Sequence, residues 1–274
     1  MSASLLRARG LAPKKALGQN FLLDARAAER IAEAAAPSGG TVLEIGPGTG
    51  ALTRPLLARA GRVVAVERDP DLFALLGEEL KEPIAEGRLE LHQGDALAMD
   101  WLPLLTSGPA PRAIAGNLPY LITGRLLERA VELAEHVDRA VVMVQLEVAE
   151  RLVAEPSTKE YGALTVFVQA AFDVERLLVA KAGAFFPRPQ VDSAVVVLVR
   201  RVAPRAKEDD ALRALVKGAF GQRRKTLRNA WRNVFGWSTE ELAARAARAG
   251  IDLDRRGETL AVEAFEAMAR EARG

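Results

Sequence analysis

A glycine-rich turn and an acidic residue are spaced along the first half of the chain as a nucleoside-binding site requires. The turn begins at Glu44, and its glycines alternate with other residues, at Gly46, Gly48 and Gly50. Glycine lets a backbone turn sharply and approach a ligand without a Cβ clash. Glu67 follows Gly46 by 21 residues, and a carboxylate at that separation can accept both hydroxyls of a ribose.

The spacing of the glycines distinguishes two classes of cofactor. Dinucleotide-binding enzymes use the pattern G-x-G-x-x-G, whereas this chain has G-x-G-x-G with a glutamate two residues before it. Asp95 follows a third predicted strand, where a carboxylate could hold an adenine exocyclic amine. This order resembles class I S-adenosylmethionine (SAM) methyltransferases and implies SAM as the cofactor. A nicotinamide dinucleotide stays an alternative, because Glu67 would contact a ribose in either ligand.

The segment Gly116-Asn117-Leu118-Pro119-Tyr120, the Asn117 turn, has groups suited to methylation of an adenine N6. That nitrogen is a poor nucleophile, because its lone pair is delocalised into the ring. Acceptors aimed at its hydrogens favour the sp³ character needed for attack, and the Asn117 side-chain oxygen and the carbonyl of Leu118 or Pro119 are such acceptors. Pro119 fixes the turn, and Tyr120 can stack on a base that has left its helix. No strong base or metal is needed, since positioning supplies most of the rate.

A proline-rich loop before the last predicted strand offers a second aromatic contact. It begins with Phe185 and Phe186, and one phenylalanine could close the other face of the base. We favour Phe185 for this role, with Phe186 as the alternative.

Strands and helical patterns alternate through the first half of the chain, which predicts a mostly parallel, doubly wound α/β sheet of the Rossmann-like class. Strands are predicted at 41–45, 62–67, 88–92, 112–116 and 140–145, and an antiparallel pair near the sheet edge at 170–179 and 193–200. Asp24 and Asp69-Pro70 are typical of helix starts, and we expect Thr123 to cap a helix that runs to about residue 134. The candidate residues therefore follow strand ends, where such sheets bind ligands.

The pattern changes after Pro204, where strand runs end and apolar residues recur at helical spacing. We expect a methyltransferase domain over residues 1–204, with a basic N-terminal segment at 1–20, and a small all-helical domain over 205–274. Ser238 and Glu241 have the spacing of a capping box that opens one of its helices.

The net charge of +2 conceals basic ends and an acidic middle. Residues 1–20 contain four basic and no acidic residues, and residues 200–274 contain 17 basic and 11 acidic ones. Such asymmetry points to a polyanionic partner. The basic cluster at 217–232 contains no acid, and its interleaved aromatic residues favour nucleic acid over a merely solvated helix face. The residues that we expect to contact RNA are Arg223, Arg224, Lys225 and Arg228.

The composition excludes several kinds of site. The chain has no cysteine, which excludes disulfides, thiolate zinc sites and a cysteine nucleophile. Its two histidines, His92 and His136, lie far apart, so we expect no metal. The apolar stretch at 194–199 is far shorter than the roughly 20 residues that span a bilayer, and the first residues have no secretory apolar core. We therefore expect a cytoplasmic protein. We also expect a monomer.

Taken together, the motifs resemble the KsgA (RsmA) family of small-subunit (16S) ribosomal RNA adenine N6,N6-dimethyltransferases. The matching segments span residues 14 to about 199 in family order and are KKALGQNFLLD, VLEIGPGTGALT, VERD, GDAL, GNLPY, MVQLEVAERL and FFPRPQVDSAVV. The resemblance implies an enzyme that uses SAM to dimethylate two adjacent adenosines in a hairpin loop near the 3′ end of small-subunit rRNA, on a pre-ribosomal particle. The cofactor contacts that it implies come from Asn20, Leu22, Gly46, Gly48, Glu67, Asp95 and Asn117. The base contacts that it implies come from Asn117, Pro119, Tyr120 and Phe185.

Other functions stay open. Large-subunit rRNA adenine methyltransferases of the macrolide-resistance type and mitochondrial transcription-factor relatives share these motifs, but the FFPRPQVDS segment and the longer C-terminal domain favour the small-subunit family. A non-catalytic ribosome-assembly factor would use the same basic domain, although intact Asn117 and Tyr120 favour catalysis. A small-molecule methyltransferase or an NAD enzyme would not need that domain.

Overall fold

The structure, a computed structural model, describes residues 9–274 of the chain. Residues 1–8, which include Arg7 of the predicted basic N-terminal segment, lie outside the described residues. The chain forms two compact units. The first contains the described residues up to Ala149 together with Glu175–Arg200, and the second contains Glu150–Val174 and Arg201–Gly274. Of the helices in residues 9–274, none combines the length and apolar character of a membrane span.

The strands of the described chain are β1 (Phe21–Leu22), β2 (Thr41–Ile45), β3 (Arg62–Glu67), β4 (Leu89–Gln93), β5 (Arg112–Asn117), β6 (Arg139–Gln145), β7 (Phe172–Ala180), β8 (Phe185–Phe186) and β9 (Ser193–Arg200). Strands β1 and β8 pair as a small antiparallel sheet, and the other seven form one sheet in the order β4-β3-β2-β5-β6-β9-β7. Strands β2 to β6 run parallel, and β9 pairs antiparallel with β6. The predicted mostly parallel, doubly wound sheet is therefore confirmed.

The strand order reverses beside β2. From β2 the chain moves outward to β3 and β4, and it then returns to β5 on the other side of β2. The loops that follow β2 and β5 consequently leave the sheet in opposite directions. Such a reversal opens a crevice at the carboxyl ends of the strands, which is where doubly wound sheets bind ligands.

The helices that begin in the first unit are α1 (Ala25–Ala35), α2 (Thr53–Leu57), α3 (Pro70–Glu79), α4 (Lys81–Ala85), α5 (Trp101–Thr106), α6 (Thr123–Glu132) and α7 (Leu146–Leu152). Two predicted helix starts are confirmed. The Asp24 carboxylate accepts the backbone N–H groups of Arg26 and Ala27, and the Asp69 carboxylate accepts that of Asp71, with Pro70 at the first helical position.

The predicted cap of α6 is wrong. Ile122 occupies the cap position, and no side chain caps the helix. The Thr123 hydroxyl donates instead to the Pro119 carbonyl at 3.0 Å. Thr123 thus stabilises the Asn117 turn rather than the backbone of the helix.

The helices of the second unit are α8 (Ala163–Ala171), α9 (Asp210–Gly221), α10 (Leu227–Ala230), α11 (Thr239–Arg248) and α12 (Val262–Arg273). The capping box of α11 is confirmed: Ser238 Oγ accepts the Glu241 N–H, and the Glu241 carboxylate accepts the Ser238 N–H. The core of this unit contains the buried side chains of Tyr161, Trp231 and Phe265.

The division of the chain differs from the predicted boundary at residue 204. Residues 150–174 join the second unit, because α8 contributes Val166, Phe167 and Ala170 to the same apolar core as Trp231. The strand predicted to begin at residue 170 accordingly begins at Phe172, since α8 extends to Ala171. Local patterns do not reveal this arrangement, because the core brings together segments that are far apart in the sequence.

Candidate active site

A cavity opens in the crevice beside β2. Its lining comes from residues 16–22, from the loops after β2, β3 and β4, and from the loop after β5. All residues predicted to bind the cofactor line it, namely Asn20, Leu22, Gly46, Gly48, Glu67, Asp95 and Asn117. Pro119 and Tyr120 line it as well. The fold thus brings together side chains from five separate motifs of the sequence.

The glycine turn needs glycine for two reasons. Gly46 and Gly48 have φ angles of 69° and 59°, a region that side chains with a Cβ rarely adopt. A Cβ at Gly48 would also lie 3.2 Å from the Phe21 ring. The Gly48 N–H donates to the Glu67 carboxylate at 2.9 Å, so the turn and the end of β3 hold each other in place.

Glu67 is placed to accept hydroxyl groups from a ligand. It lies at the end of β3 with 5% exposure, and its second oxygen accepts the Asp69 N–H at 2.8 Å. Each carboxylate oxygen therefore uses one lone pair on the backbone and keeps further acceptor capacity. Burial raises the pKa of this carboxyl, and the backbone N–H groups of Asp69, Gly48 and Arg68 partly oppose that rise.

Glu44, which precedes the glycines, is buried at the cavity wall with 1% exposure. Its Oε2 has no hydrogen-bond partner among the described residues. Desolvation raises the pKa of Glu44 to about 8, and the neighbouring Glu67 carboxylate adds to the rise. A buried acceptor without a donor is costly, and a ligand that brings a donor or a positive charge would relieve that cost.

Asp95 lies on the side of the cavity formed by the loop after β4. Its Oδ1 accepts the Leu97 N–H at 2.9 Å, and its Oδ2 lies 3.6 Å from Arg68 Nη1. We did not predict Arg68 from the sequence, although it follows Glu67 directly in the VERD motif.

The charge of the lining discriminates between the candidate cofactors. Three acidic residues, Glu44, Glu67 and Asp95, line the cavity with the Arg68 guanidinium. Because the pKa of Glu44 is raised to about 8, this residue becomes a full negative charge when a bound cation favours its ionised form. An acidic pocket attracts a sulfonium and an ammonium group, and it repels the pyrophosphate of a nicotinamide dinucleotide. The residues of this cavity therefore fit SAM.

The Asn117 turn presents oxygen acceptors at the cavity. Asn117 Nδ2 donates to the Asn20 carbonyl at 2.7 Å, whereas Oδ1 receives no hydrogen bond from a described residue. The Pro119 carbonyl accepts from the Ile122 N–H and the Thr123 hydroxyl. Because both lone pairs of the Pro119 carbonyl are engaged, the Leu118 carbonyl is the better second acceptor for the N6 hydrogens.

Tyr120 stands beside these acceptors with its ring half-buried. Its hydroxyl lies 2.8 Å from Ser193 Oγ, and burial raises the pKa of Tyr120. Ser193 belongs to the FFPRPQVDS segment, but the sequence did not distinguish it from the rest of that motif.

Phe185 is not brought to the cavity with the other predicted residues. It is 3% exposed and belongs to the hydrophobic core, opposite Leu22 in the β1–β8 pair. Phe186, the alternative, packs against Phe21, Leu72 and Leu75. To stack on a base, Phe185 would have to leave the core, which would cost the free energy of its burial. Phe185 is thus the one predicted base-contact residue that does not line the cavity, and its role stays a prediction.

Residues 16–22 form one wall of the cavity, and polar side chains of residues 14–22 fasten this segment to the end of β3. Lys14 Nζ lies 2.5 Å from Asp69 Oδ1, and Gln19 Nε2 donates to Asp69 Oδ2 at 2.7 Å. Asp69 is 2% exposed, and these partners hold the pKa of its carboxyl below the ordinary value despite the burial. The sequence indicated only the helix-capping role of Asp69.

The residues expected to contact RNA lie in the second unit and differ in their partners. Arg223 donates to the carbonyls of Lys159 and Tyr161, and Arg228 pairs with Asp254 at 3.2 Å. Arg224 and Lys225 are exposed and have no ion pair or hydrogen bond from their side chains to a described residue.

The aromatic residues of the basic cluster are not a stacking surface. Trp231 is 1% exposed and donates to the Leu215 carbonyl, and the Phe220 ring lies 6.0 Å from that of Phe265. These rings pack in the core of the second unit, which corrects their interpretation as a sign of nucleic-acid binding. Within residues 9–274, no group of three or more His, Asp and Glu side chains could hold a metal ion.

Comparison with known proteins agrees with this geometry. The family described as "Ribosomal RNA adenine dimethylase" matches residues 10–272. "Ribosomal RNA small subunit methyltransferase A" of Geobacter metallireducens is 42% identical over 270 residues, which cover 97% of each chain. The protein of the same name from Myxococcus xanthus is 43% identical over 271 residues, 97% of this chain and 93% of that one.

Solved structures give the same result for the fold. A dimethyladenosine transferase from Plasmodium falciparum superimposes with a TM-score of 0.74 at 24% identity, over 90% of this chain and 95% of that one. The 23S rRNA methyltransferase ErmE superimposes with a TM-score of 0.66 at 29% identity, over 93% of this chain and all of that one. With its acidic cofactor cavity and its Asn117 turn, the chain belongs to the ribosomal RNA adenine dimethylase family, whose methyl donor is SAM.

Proposed function

We propose that this protein dimethylates N6 of two adjacent adenosines in a hairpin loop near the 3′ end of small-subunit (16S) rRNA during ribosome biogenesis. The names of its relatives from Geobacter metallireducens and Myxococcus xanthus support the small subunit as the substrate. We further propose that it acts as a monomer in the cytoplasm on a pre-ribosomal particle.

The observation that carries the proposal is the orientation of the Asn117 amide. The bond from Nδ2 to the Asn20 carbonyl occupies the donor end of the amide. The acceptor end, Oδ1, receives no hydrogen bond from a described residue, and Asn117 and Leu118 both line the cavity. Two oxygens in this arrangement suit an amino group with two hydrogens, and an adenine N6 is such a group.

The reaction divides between the cofactor and the chain. When bound, SAM would supply an electrophilic methyl group, whose bond to sulfur breaks as the bond to N6 forms and leaves a neutral thioether. The proton that N6 then loses would pass to solvent, because Asn117 and Leu118 offer hydrogen-bond acceptors and no base. Asn117 and Leu118 accept the N6 hydrogens and draw the nitrogen away from conjugation with the ring, so that its lone pair becomes nucleophilic. Tyr120 offers a ring face to the extruded base. Holding the base in the reactive geometry supplies the remaining acceleration.

In this proposal the second unit binds RNA phosphates. Arg224 and Lys225 are the best candidates for these contacts, because their charges are exposed and not satisfied by neighbouring side chains. Arg223 and Arg228 already have partners in the protein. Their contribution to RNA binding would require those bonds to be shared or broken.

Transfer of label from methyl-labelled SAM tests the substrate. Small subunits from a strain that lacks the modification should incorporate label into N6-dimethyladenosine, detected by mass spectrometry of the digested rRNA. Large subunits treated in the same way are the control. Label in large-subunit rRNA and none in small-subunit rRNA would move the assignment to the resistance-type enzymes.

The Asn117→Ala variant tests the chemistry. It should lose transfer by at least about a hundredfold, since removal of one preorganised transition-state hydrogen-bonding group costs this much in other enzymes. Binding to the small subunit should stay unchanged, because Asn117 lies apart from the basic cluster in the sequence and in a different unit. Full activity of the variant would refute the role of Asn117.

A further inference from the structure

A buried serine holds the hydroxyl of Tyr120. Ser193 is 0% exposed, and its Oγ lies 2.8 Å from the Tyr120 hydroxyl oxygen. Ser193 does not line the cavity, whereas Tyr120 does. Any influence of Ser193 on a bound base therefore passes through the tyrosine ring.

The sheet topology explains how two residues 73 positions apart meet. Strand β9 is antiparallel to β6, so β9 begins at the edge of the sheet where β5 and β6 end. Ser193 is the first residue of β9 and lies opposite Gln145, the last residue of β6. The Asn117 turn leaves β5 with a bond from the Leu118 N–H to the Met143 carbonyl. It then crosses the end of β6 and brings Tyr120 to β9.

The backbone around Ser193 is tightly held. The Leu146 N–H donates to the Asp192 carbonyl at 3.0 Å. The Asp192 carboxylate accepts the Ala182 N–H at 2.9 Å and pairs with Lys181 at 2.9 Å. Ser193 is thus anchored by the strand on one side and by the preceding loop on the other, and its hydroxyl presents a fixed partner to Tyr120.

We propose that Ser193 is a positioning residue for methyl transfer, because its hydroxyl fixes the Tyr120 ring in the orientation that receives the target adenine. The proposal rests on the proposed function, in which Tyr120 stacks on the base. It assigns Ser193 of the FFPRPQVDS segment a role in methyl transfer, whereas Phe185 of the same segment is buried in the core. Without this bond, the tyrosine ring can rotate about its side-chain torsions, and the base then has no fixed ring face to stack on.

A double-mutant cycle tests the pair. Ser193→Ala and Tyr120→Phe should each slow single-turnover methyl transfer about fivefold, the effect of a net loss of about 1 kcal/mol for one hydrogen bond. The double variant should be no slower than the slower single variant, because both changes remove the same bond. The affinity for SAM should not change. Additive losses, or no loss in Tyr120→Phe, would overturn the proposal.

Thr41→Val is a matched control. Thr41 is also a buried residue at the start of a strand, and its hydroxyl donates to the Pro109 carbonyl at 2.8 Å. It lies at the opposite end of β2 from the cavity, so the variant should lose stability without losing transfer rate. A loss in Thr41→Val equal to that in Ser193→Ala would mean that the serine acts only through stability, and it would also overturn the proposal.

A spectroscopic measurement separates this inference from the proposed function. The chain has two tyrosines, so protein labelled with 3-fluorotyrosine should give two ¹⁹F resonances. Ser193→Ala should shift or broaden the Tyr120 resonance and leave that of Tyr161, whose hydroxyl donates to the Leu260 carbonyl, unchanged. An unchanged Tyr120 resonance would refute the positioning role. A wild-type protein that methylates neither subunit would refute the proposed function instead.

Discussion

Asn117 illustrates how a side chain with two functional ends becomes a specific acceptor. A free asparagine amide can rotate to present either its NH₂ group, which donates, or its oxygen, which accepts, and these two groups are similar in size. Here the Asn20 carbonyl occupies the donor end, so the acceptor end is oriented before a substrate arrives. Preorganised polar groups need no reorganisation during the reaction, which is why they contribute strongly to catalysis.

Glu44 has a consequence for stability that can be measured. Its pKa is raised from 4.5 to about 8 in the folded protein, so the folded state binds more protons than the unfolded state between these values. The free energy of unfolding must therefore fall as the pH rises through this window, at about 1.4 kcal/mol per pH unit at most. The loss is complete once the pH exceeds the folded pKa.

We expect Glu44→Gln to remove this contribution. Between about pH 6 and pH 7, the stability of wild type relative to the variant should fall by about 1 kcal/mol. Urea unfolding of both proteins at the two pH values measures the difference. Glu29→Gln, at an exposed position on α1, is the control and should unfold in parallel with wild type. Parallel pH dependence of Glu44→Gln and wild type would show that Glu44 is ionised in the fold.

Residues 16–22 act as a wall of the cofactor cavity because the segment at 14–22 is fastened at two points. One is the bond from Asn117 to the Asn20 carbonyl, and the other is the contact of Lys14 and Gln19 with Asp69. Asp69 also bonds through its backbone N–H to Glu67. The wall and the proposed ribose acceptor thus share one hydrogen-bonded network.

Asp69→Asn should weaken SAM binding about tenfold, since a hydrogen bond to a charged group contributes about 1.5–3 kcal/mol. Asparagine retains the helix cap of α3, so the change is confined to the contacts with Lys14 and Gln19. Isothermal titration calorimetry measures the affinity, and hydrogen exchange of residues 14–22 reports the loosened wall. Asp71→Asn, which changes the exposed second partner of Lys14, should alter the affinity by less than about twofold. Equal effects of the two variants would contradict the network.

The second unit is built from two separate segments of the chain. Its core needs Tyr161, Val166 and Phe167 from the segment before β7 as well as Trp231 and Phe265 from the C-terminal region. Within α12, the buried Glu266 pairs with Arg270 and Arg273. These partners hold the pKa of Glu266 below its ordinary value. Removal of the C-terminal region would therefore leave an incomplete apolar core.

A chain that ends at residue 204 tests this dependence. It should bind a hydrophobic dye and lose helix content beyond that of the deleted residues, because α8 no longer has its core partners. Circular dichroism and dye fluorescence measure these changes against the full chain. Cooperative unfolding of the shortened chain with an unchanged melting temperature would show that residues 150–174 fold with the first unit.

Different variants in the basic cluster should affect either RNA binding or stability. Joint replacement of Arg224 and Lys225 by glutamine should weaken binding to small subunits and reduce the slope of log affinity against log salt by roughly one per residue. The affinity for SAM should not change. Arg223→Gln should instead lower the melting temperature, because it breaks bonds to the carbonyls of Lys159 and Tyr161. A salt slope reduced equally by Arg223→Gln would assign that residue to RNA.

Local signals in the sequence were sufficient to predict much of the sheet, several helix starts and most of the cavity residues. Runs of buried β-branched residues indicate β2, β3 and β6, and caps indicate α1, α3 and α11, because these features involve residues close along the chain. The glycine turn, Glu67, Asp95 and the Asn117 turn were placed correctly at one edge of the sheet, since each follows a parallel strand and such ends share an edge.

Other features depend on contacts between distant residues, which local patterns do not contain. The bonds from Asn117 to Asn20 and from Tyr120 to Ser193 span 97 and 73 positions. Phe185 is in the core because β8 pairs with β1, and the aromatic rings of the basic cluster are buried because α8 joins the C-terminal helices. Burial depends on which surfaces meet when the chain folds, so only the folded arrangement separates a core phenylalanine from one that receives a base.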